Sequence, residues 1–171
     1  MQTRSLWMSV PLTSGVPYLG GPYAAGDFIQ PYYATPRANG LGCNPASDVA
    51  GGGGTIVSLT VVDNDNQGAP LDFFVFDSFN WTGPADNAPF SIANFSANEC
   101  LGLVTVKSYV RHGTGLIGFA TFPQGPIPYK CGDGGRTLYL GIVTRAPATY
   151  GPYPLDVRLG LYTDGFGTPL P

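Results

Sequence analysis

The chain is short of charged side chains. Only 11% of its 171 residues are Asp, Glu, Lys or Arg, with a single glutamate and two lysines, whereas soluble domains usually carry about 25%. So few charges exclude a long helix stabilised on its surface by Glu–Lys pairs. The formal net charge of −3 gives no basic face for nucleic acid, which we do not expect as a partner. A surface with so little charge is instead typical of one that another protein covers.

Cysteine and histidine are also scarce. Cys43, Cys100 and Cys131 lie far apart, and His112 is the one histidine. An odd number of cysteines without Cys-x-x-Cys spacing fits neither a disulfide framework nor a zinc site, so we predict no cofactor and a reducing compartment. No apolar run approaches the ~18 residues of a membrane span, and the N-terminus has no signal-peptide pattern. We expect a soluble protein made in the cytosol, with no membrane partner.

Glycine and proline are abundant, at 25 and 17 residues, but the chain is also 43% hydrophobic and 13% aromatic. Disordered chains have few aromatic residues, so disorder is excluded for most of the chain. Residues 1–36 are rich in proline and tyrosine, and proline lacks the N–H that a central strand needs. We predict an extended N-terminal arm over 1–36, a loop over 38–54 that closes with four glycines, and a folded domain over 37–171.

Short segments with a period of two and many β-branched residues follow this loop. They predict the following strands, with a short strand or turn at 90–92: 55–62, 71–77, 101–110, 116–122, 137–144 and 155–163. We interpret the first two as a hairpin. Strand 71–77 is apolar on both faces, which a facing sheet or a neighbouring subunit must cover. Residues 124–135 are predicted to be loop. No window has the 3.6-residue period of a helix, so the prediction is an all-β antiparallel β-sandwich.

Candidate chemical sites are few. The run Asp63-Asn64-Asp65-Asn66-Gln67-Gly68 resembles the start of an EF-hand loop, but the twelfth position is Phe74 instead of a glutamate. We favour a polar turn, with a weak calcium site as the alternative. The sequence has no Gly-x-Ser-x-Gly motif, so His112 has no serine elbow with which to form a catalytic triad. Asp72 and Asp77 point to opposite faces of their strand and therefore do not form a pair of carboxylates across a cleft. We therefore expect that the protein is not an enzyme. A third reading, an enzyme with His112 in a cleft beside an acid or a thiol, stays open.

Tyrosines are concentrated in segments that also contain proline or glycine. They are Tyr18, Tyr23, Tyr32, Tyr33, Tyr150 and Tyr153. Such rings either stack on sugars or anchor a protein interface. The low charge and the prolines, which order the arm in advance, favour the protein interface.

Several short motifs, taken in order, resemble capsid decoration (cement) proteins of tailed bacteriophages. They occupy residues 23–29 (YAAGDFI), 52–57, 71–77 (LDFFVFD), 86–90 (DNAPF), 101–104 (LGLV) and 155–161 (LDVRLGL). The match in order and spacing runs from about residue 20 to residue 164. The inserts at 11–36 and 122–136 depart from the family pattern, which leaves the contact surface open.

The resemblance implies a jelly-roll-like β-sandwich that sits as a homotrimer at threefold positions on the outside of a phage head. Its partners would be the major capsid protein and other copies of itself, and it would be found on the capsid surface of the virion after synthesis in the bacterial cytoplasm. The family has no catalytic residues to transfer.

Our candidate contact residues are aromatic side chains of the arm and of the loops: Trp7, Tyr18, Tyr23, Phe28, Tyr32, Tyr33, Trp81 and Tyr129. The alternative function is a carbohydrate-binding β-sandwich of a phage tail or fibre, which recognises a receptor.

Overall fold

The computed structural model describes residues 5–16, 20–30, 41–43, 47, 50–77, 84–91, 100–122, 124–132, 135–152 and 154–164. These residues form strands, turns and loops, with no helix among them. The strands are β1 (Ser5–Val16), β2 (Gly21–Tyr23), β3 (Phe28–Ile29), β4 (Leu41–Cys43), β5 (Gly53–Asp63), β6 (Leu71–Phe76), β7 (Cys100–Val106), β8 (Tyr109–His112), β9 (Gly115–Phe119), β10 (Ile127–Lys130), β11 (Leu138–Thr144), β12 (Ala148–Tyr150) and β13 (Leu155–Asp164). Nowhere in these ranges is there a helix able to span a membrane.

Two antiparallel sheets contain most of the strands. The larger sheet has the order β1-β13-β5-β9-β8, with β10 also paired to β5. The second sheet has the order β3-β11-β6-β7, with β4 also paired to β11, and β12 pairs with β2 separately. The prediction of an antiparallel, β-sandwich-like all-β fold is confirmed.

Strand β13 shows how the core forms. Leu155, Val157, Leu159 and Leu161 are buried, while the residues between them, Asp156 and Arg158, are exposed, as the period of two predicts. Apolar residues of β6 and β11 join the same buried cluster from the second sheet. The core therefore contains side chains from both sheets.

The second face of β6 carries another cluster. Phe76 packs with Phe28 of β3 and Val143 of β11. The ring of Phe90 stacks on Phe74, with 4.6 Å between the centroids, and on Phe28 at 6.2 Å. The ring of Phe90 from this chain thus packs on the apolar face for which the sequence predicted a facing sheet or a neighbouring subunit.

The predicted hairpin of 55–62 and 71–77 is wrong. Strand β5 pairs with β13 along one edge and with β9 and β10 along the other, while β6 pairs with β11 and β7 in the second sheet. Both edges of β5 are occupied, so none is free for β6. Residues 64–70 connect one sheet to the other instead.

The loop predicted over 38–54 ends earlier than expected, because β5 begins at Gly53. Backbone of β10 lies on one side of Gly53 and Gly54, and backbone of β13 lies on the other. A Cβ atom at Gly54 would overlap the carbonyl oxygen of Tyr162. The glycines are therefore in a strand because only glycine fits between these neighbours.

Two further boundaries differ from the prediction. The predicted loop 124–135 contains β10, and the predicted strand 101–110 is interrupted at Lys107 and Ser108 between β7 and β8. The short β10 pairs with only four residues of β5, which is too little for a recognisable alternating pattern.

Part of the predicted arm belongs to the sheets. Strand β1 pairs with β13 at the edge of the larger sheet, from Ser5 to Val16, and β2 and β3 also pair with later strands. The edge position agrees with the expectation that prolines keep this segment out of a sheet centre.

Candidate interaction surface

Four of the eight candidate contact residues lie outside the described residues: Tyr18, Tyr32, Tyr33 and Trp81. A fifth, Trp7, is in β1, where its Cα lies opposite that of Tyr162. The predictions for these five residues stay predictions.

The other three are interior residues of this chain. Tyr23, Phe28 and Tyr129 expose 2%, 0% and 6% of their surface. Tyr23 donates its hydroxyl to the Asp86 carboxylate at 3.0 and 3.1 Å, Phe28 is in the second cluster, and Tyr129 is in the main core. The neighbouring prolines and glycines suggested exposed loops, but the short strands β2, β3 and β10 place these rings inside. We therefore correct their assignment from surface contacts to core residues.

The large apolar side chains that are exposed in the described residues lie elsewhere, at Leu103, Val110, Phe119 and Tyr162. Val110 and Phe119 are the most exposed, at 64% and 61%. Single exposed apolar residues are ordinary, whereas a contiguous group indicates a contact surface. The register shows that two of these residues belong to such a group.

Val62 lies opposite Ile117, and Ile117 lies opposite Val110, so these three side chains form a row across β5, β9 and β8. Phe119 is two residues after Ile117 and points to the same face. We call Val62, Val110, Ile117 and Phe119 the β8–β9 patch. It covers the outer face of the larger sheet at the end where β8 is the last strand.

The backbone below the patch is held by contacts on the inner face. The Tyr109 hydroxyl donates to the carbonyl of Ala69 at 2.9 Å. Gly118 packs so closely on Val106 that a Cβ atom there would lie 2.5 Å from a Val106 methyl group. At the edge, exposed Arg111 donates to the side-chain oxygen of Asn66 at 3.2 Å. Arg111 follows Val110 and points to the opposite face, with Tyr109, so these contacts support the patch from behind and leave its outer side apolar.

The sequence did not indicate this patch because of one break. A continuous strand 101–110 places Val110 on the same face as Val104 and Val106. At Lys107 and Ser108 the chain instead passes from the second sheet to the larger one, so Val104 and Val106 are buried while Val110 is exposed.

The EF-hand-like segment is a turn built on Asp63. This fully buried carboxylate accepts hydrogen bonds from the backbone N–H of Asp65 at 3.0 Å and of Gly68 at 2.7 Å. Asp65 in turn accepts the N–H of Gly151 at 2.6 Å. No cluster of three or more His, Cys, Asp or Glu side chains suited to a metal ion occurs in the described ranges. Because the carboxylates hold backbone amides, the contacts favour the polar turn over the calcium site.

The residues considered for catalysis are not brought together. His112 is exposed at the end of β8, and Cys131 is buried. Cys100 and Cys131 are free thiols, and burial raises the pKa of both. A thiol with a raised pKa holds less thiolate at neutral pH and is a poorer nucleophile. We find no nucleophile paired with a base in this part of the chain.

No family model matches the chain, and no curated protein or solved structure is significantly similar to it. The family suggested by the sequence motifs therefore stays a prediction.

Proposed function

We propose that this protein is a decoration protein that binds the outside of a tailed-phage head as a homotrimer and stabilises the shell. The observation that carries the proposal is the β8–β9 patch, an exposed apolar area on the outer face of the larger sheet. In the full proposal the domain is jelly-roll-like, and the parts of 1–36 that carry Tyr18, Tyr32 and Tyr33 add contacts to the major capsid protein.

The patch suits contact between copies of the chain. Val110 and Phe119 expose 64% and 61% of their surface, and burying an apolar side chain of this size contributes about 1.5–3 kcal/mol. A flat sheet face packs well on a second protein surface, and few charges must be desolvated with it. A closed trimer would also cover the open edge at β8.

Stabilisation of a shell needs only binding. A protein that binds the assembled lattice more tightly than free subunits shifts the equilibrium towards the lattice by mass action. Three linked copies convert modest individual contacts into high avidity.

The test combines solution mass with binding to undecorated heads. Light scattering is expected to give three times the chain mass, and co-sedimentation is expected to saturate at a copy number divisible by three. The double variant Val110→Lys and Phe119→Lys should be monomeric and should bind heads at least 100-fold more weakly, because avidity is lost. Tyr162→Lys makes the same kind of change on the larger sheet outside the patch and is the matched control.

A trimeric double variant would contradict the role of the patch. A wild-type chain that ignores heads would contradict the proposed function and would favour the predicted alternative, a carbohydrate-binding domain of a tail or fibre, to be tested on a glycan array.

A further inference from the structure

The outer edge of strand β7 is mostly unpaired within the described residues. This strand is the last strand of the second sheet, and its outer side pairs only at one point in the described structure, where the Thr121 N–H donates to the Thr105 carbonyl at 3.1 Å. Backbone groups of alternate residues point to the same side of an antiparallel strand. Since the Thr105 carbonyl points away from β6, the N–H and C=O of Leu103 do so too. No turn or loop backbone bond reaches Leu103 within the described ranges.

A cavity of about 110 Å³ lies beside this edge. Apolar side chains and exposed polar groups both line it, from Leu101, Gly102, Leu103, Phe122, Gln124, Gly125, Pro126, Ile127 and Pro128. It therefore lies between β7 of the second sheet and β10 of the larger sheet. Pro126 and Pro128 have no N–H to offer β7, which helps to keep this side of the sandwich open.

The cavity is large enough for a side chain. About 10–15 Å³ of such volume holds one water molecule, so the cavity admits several. A branched aliphatic side chain or a proline ring fits a space of this kind. A segment paired with β7 would direct alternate side chains inwards, and one of them would enter the cavity.

The charges near the edge favour an acidic partner. Lys107 follows β7 directly and is exposed, as is Lys130 at the end of β10. The end of β10 lies near the start of β7, because the Gly132 N–H donates to the carbonyl of Asp77, and Asp77 follows Phe76, which pairs with Cys100. Lysines thus lie near both ends of the edge. Half-buried Asp77 is the described acid near Lys130.

We propose that β7 receives an extended segment of the shell subunit as an additional strand, with an aliphatic side chain in the cavity and acidic residues towards Lys107 and Lys130. This inference rests on the proposed function and specifies the partner's chemistry. It assigns the shell contact to β7, separate from the contact between copies at the β8–β9 patch.

Amide hydrogen exchange on decorated heads tests the pairing directly. The amide of Leu103 should exchange at least 10-fold more slowly in the head-bound protein than in the free protein, because it gains an acceptor. Amides of β13, which is paired within this chain, serve as the internal reference. Unchanged exchange in β7 on saturated heads overturns the inference and leaves the proposed function standing. Absence of wild-type binding to heads overturns both.

Two variants separate the backbone from the side chain. Proline is tolerated in an edge strand where the N–H faces solvent, so Leu103→Pro should fold and bind heads at least 10-fold more weakly, whereas Leu103→Ala keeps the N–H and should lose less. Equal binding by both overturns the pairing. If Leu103→Pro fails to fold, the Lys107→Glu and Lys130→Glu double variant replaces it. That variant should bind several-fold more weakly at low salt, with the difference reduced at high salt.

Discussion

The rings of Tyr23 and Tyr150 lie 6.2 Å apart in the interior, yet only one of the two hydroxyls has a hydrogen-bond partner in the described structure. Tyr23 donates to Asp86, whose carboxylate also accepts the N–H of Gln30 at 2.9 Å. The hydroxyl of Tyr150 is buried without such a bond. Neighbouring residues of the same type thus make opposite contributions to stability.

Removing each hydroxyl should therefore have effects of opposite sign. Tyr150→Phe removes a buried polar atom that lacks a partner and should raise the free energy of unfolding by about 1 kcal/mol. Tyr23→Phe leaves the Asp86 carboxylate without one donor and should lower it by about 1–2 kcal/mol. Urea denaturation of the two variants against the wild type measures both values. Changes of the same sign would contradict the assignment.

Alkaline pH should unfold the protein cooperatively. Burial, assisted by nearby carboxylates, raises the pKa of Tyr23, Tyr109 and Tyr150 in the folded state, whereas an unfolded tyrosine ionises near pH 10. The stability from these neutral tyrosines is fully present below about pH 10 and is lost as the pH rises above it towards the folded pKa values.

Absorbance at 295 nm and circular dichroism, recorded together, measure this transition. Ionisation of the buried tyrosines should coincide with the loss of β-sheet signal, and Tyr109→Phe should make the loss less steep. Full ionisation of all ten tyrosines near pH 10 with an intact β-sheet signal would disprove the prediction.

The turn after β5 should depend on the carboxylate of Asp63. Asp63→Ala leaves two backbone N–H groups without an acceptor and should cost about 2–3 kcal/mol of stability. Asp63→Asn keeps one acceptor oxygen and should cost less. Asp156→Asn, on an exposed side chain, is the control. Thermal melting measures these changes in stability. Melting of the wild type with added calcium and with a chelator should give the same melting temperature, and a calcium-dependent rise would support the metal-site alternative.

Gly54 should be the least replaceable of the glycines in β5. Gly54→Ala would push a methyl group into the Tyr162 carbonyl and within 2.8 Å of the Tyr129 hydroxyl, with an expected cost of about 3 kcal/mol. Gly115→Ala, where the nearest atom lies 3.3 Å away, is the control with a smaller expected cost. Thermal melting of both variants decides, and equal melting temperatures would contradict the close packing around Gly54.

The sequence predicted those parts of the fold that depend on local alternation. Every second residue of β13 from Leu155 to Leu161 is apolar and buried. Both the strand and its inner face were therefore predictable. The partner of a strand is a different matter. One edge of β5 is taken by β13, where Leu59 pairs with Leu159, and no local pattern distinguishes this distant pairing from a hairpin with β6.

The candidate surface was less predictable, for two physical reasons. The side on which Val110 points depends on the interruption at Lys107 and Ser108, because there the chain passes from the second sheet to the larger one, and no local pattern shows this crossing. Tyr23 and Tyr129 are next to residues that favour loops, but the strands that carry them are only three and four residues long. Such short strands leave no periodic signal to show that the rings point inwards.

The position of β13 between β1 and β5 has a consequence for how the chain folds. Among the described strands, β1 is joined to the rest of the larger sheet only through β13. During synthesis, β1 and one edge of β5 must wait without their partner until residue 164 has left the ribosome. Folding of this sheet is therefore expected to be slow, because its central pairings close very long loops. In that interval, the exposed strand edges make the nascent chain prone to aggregation.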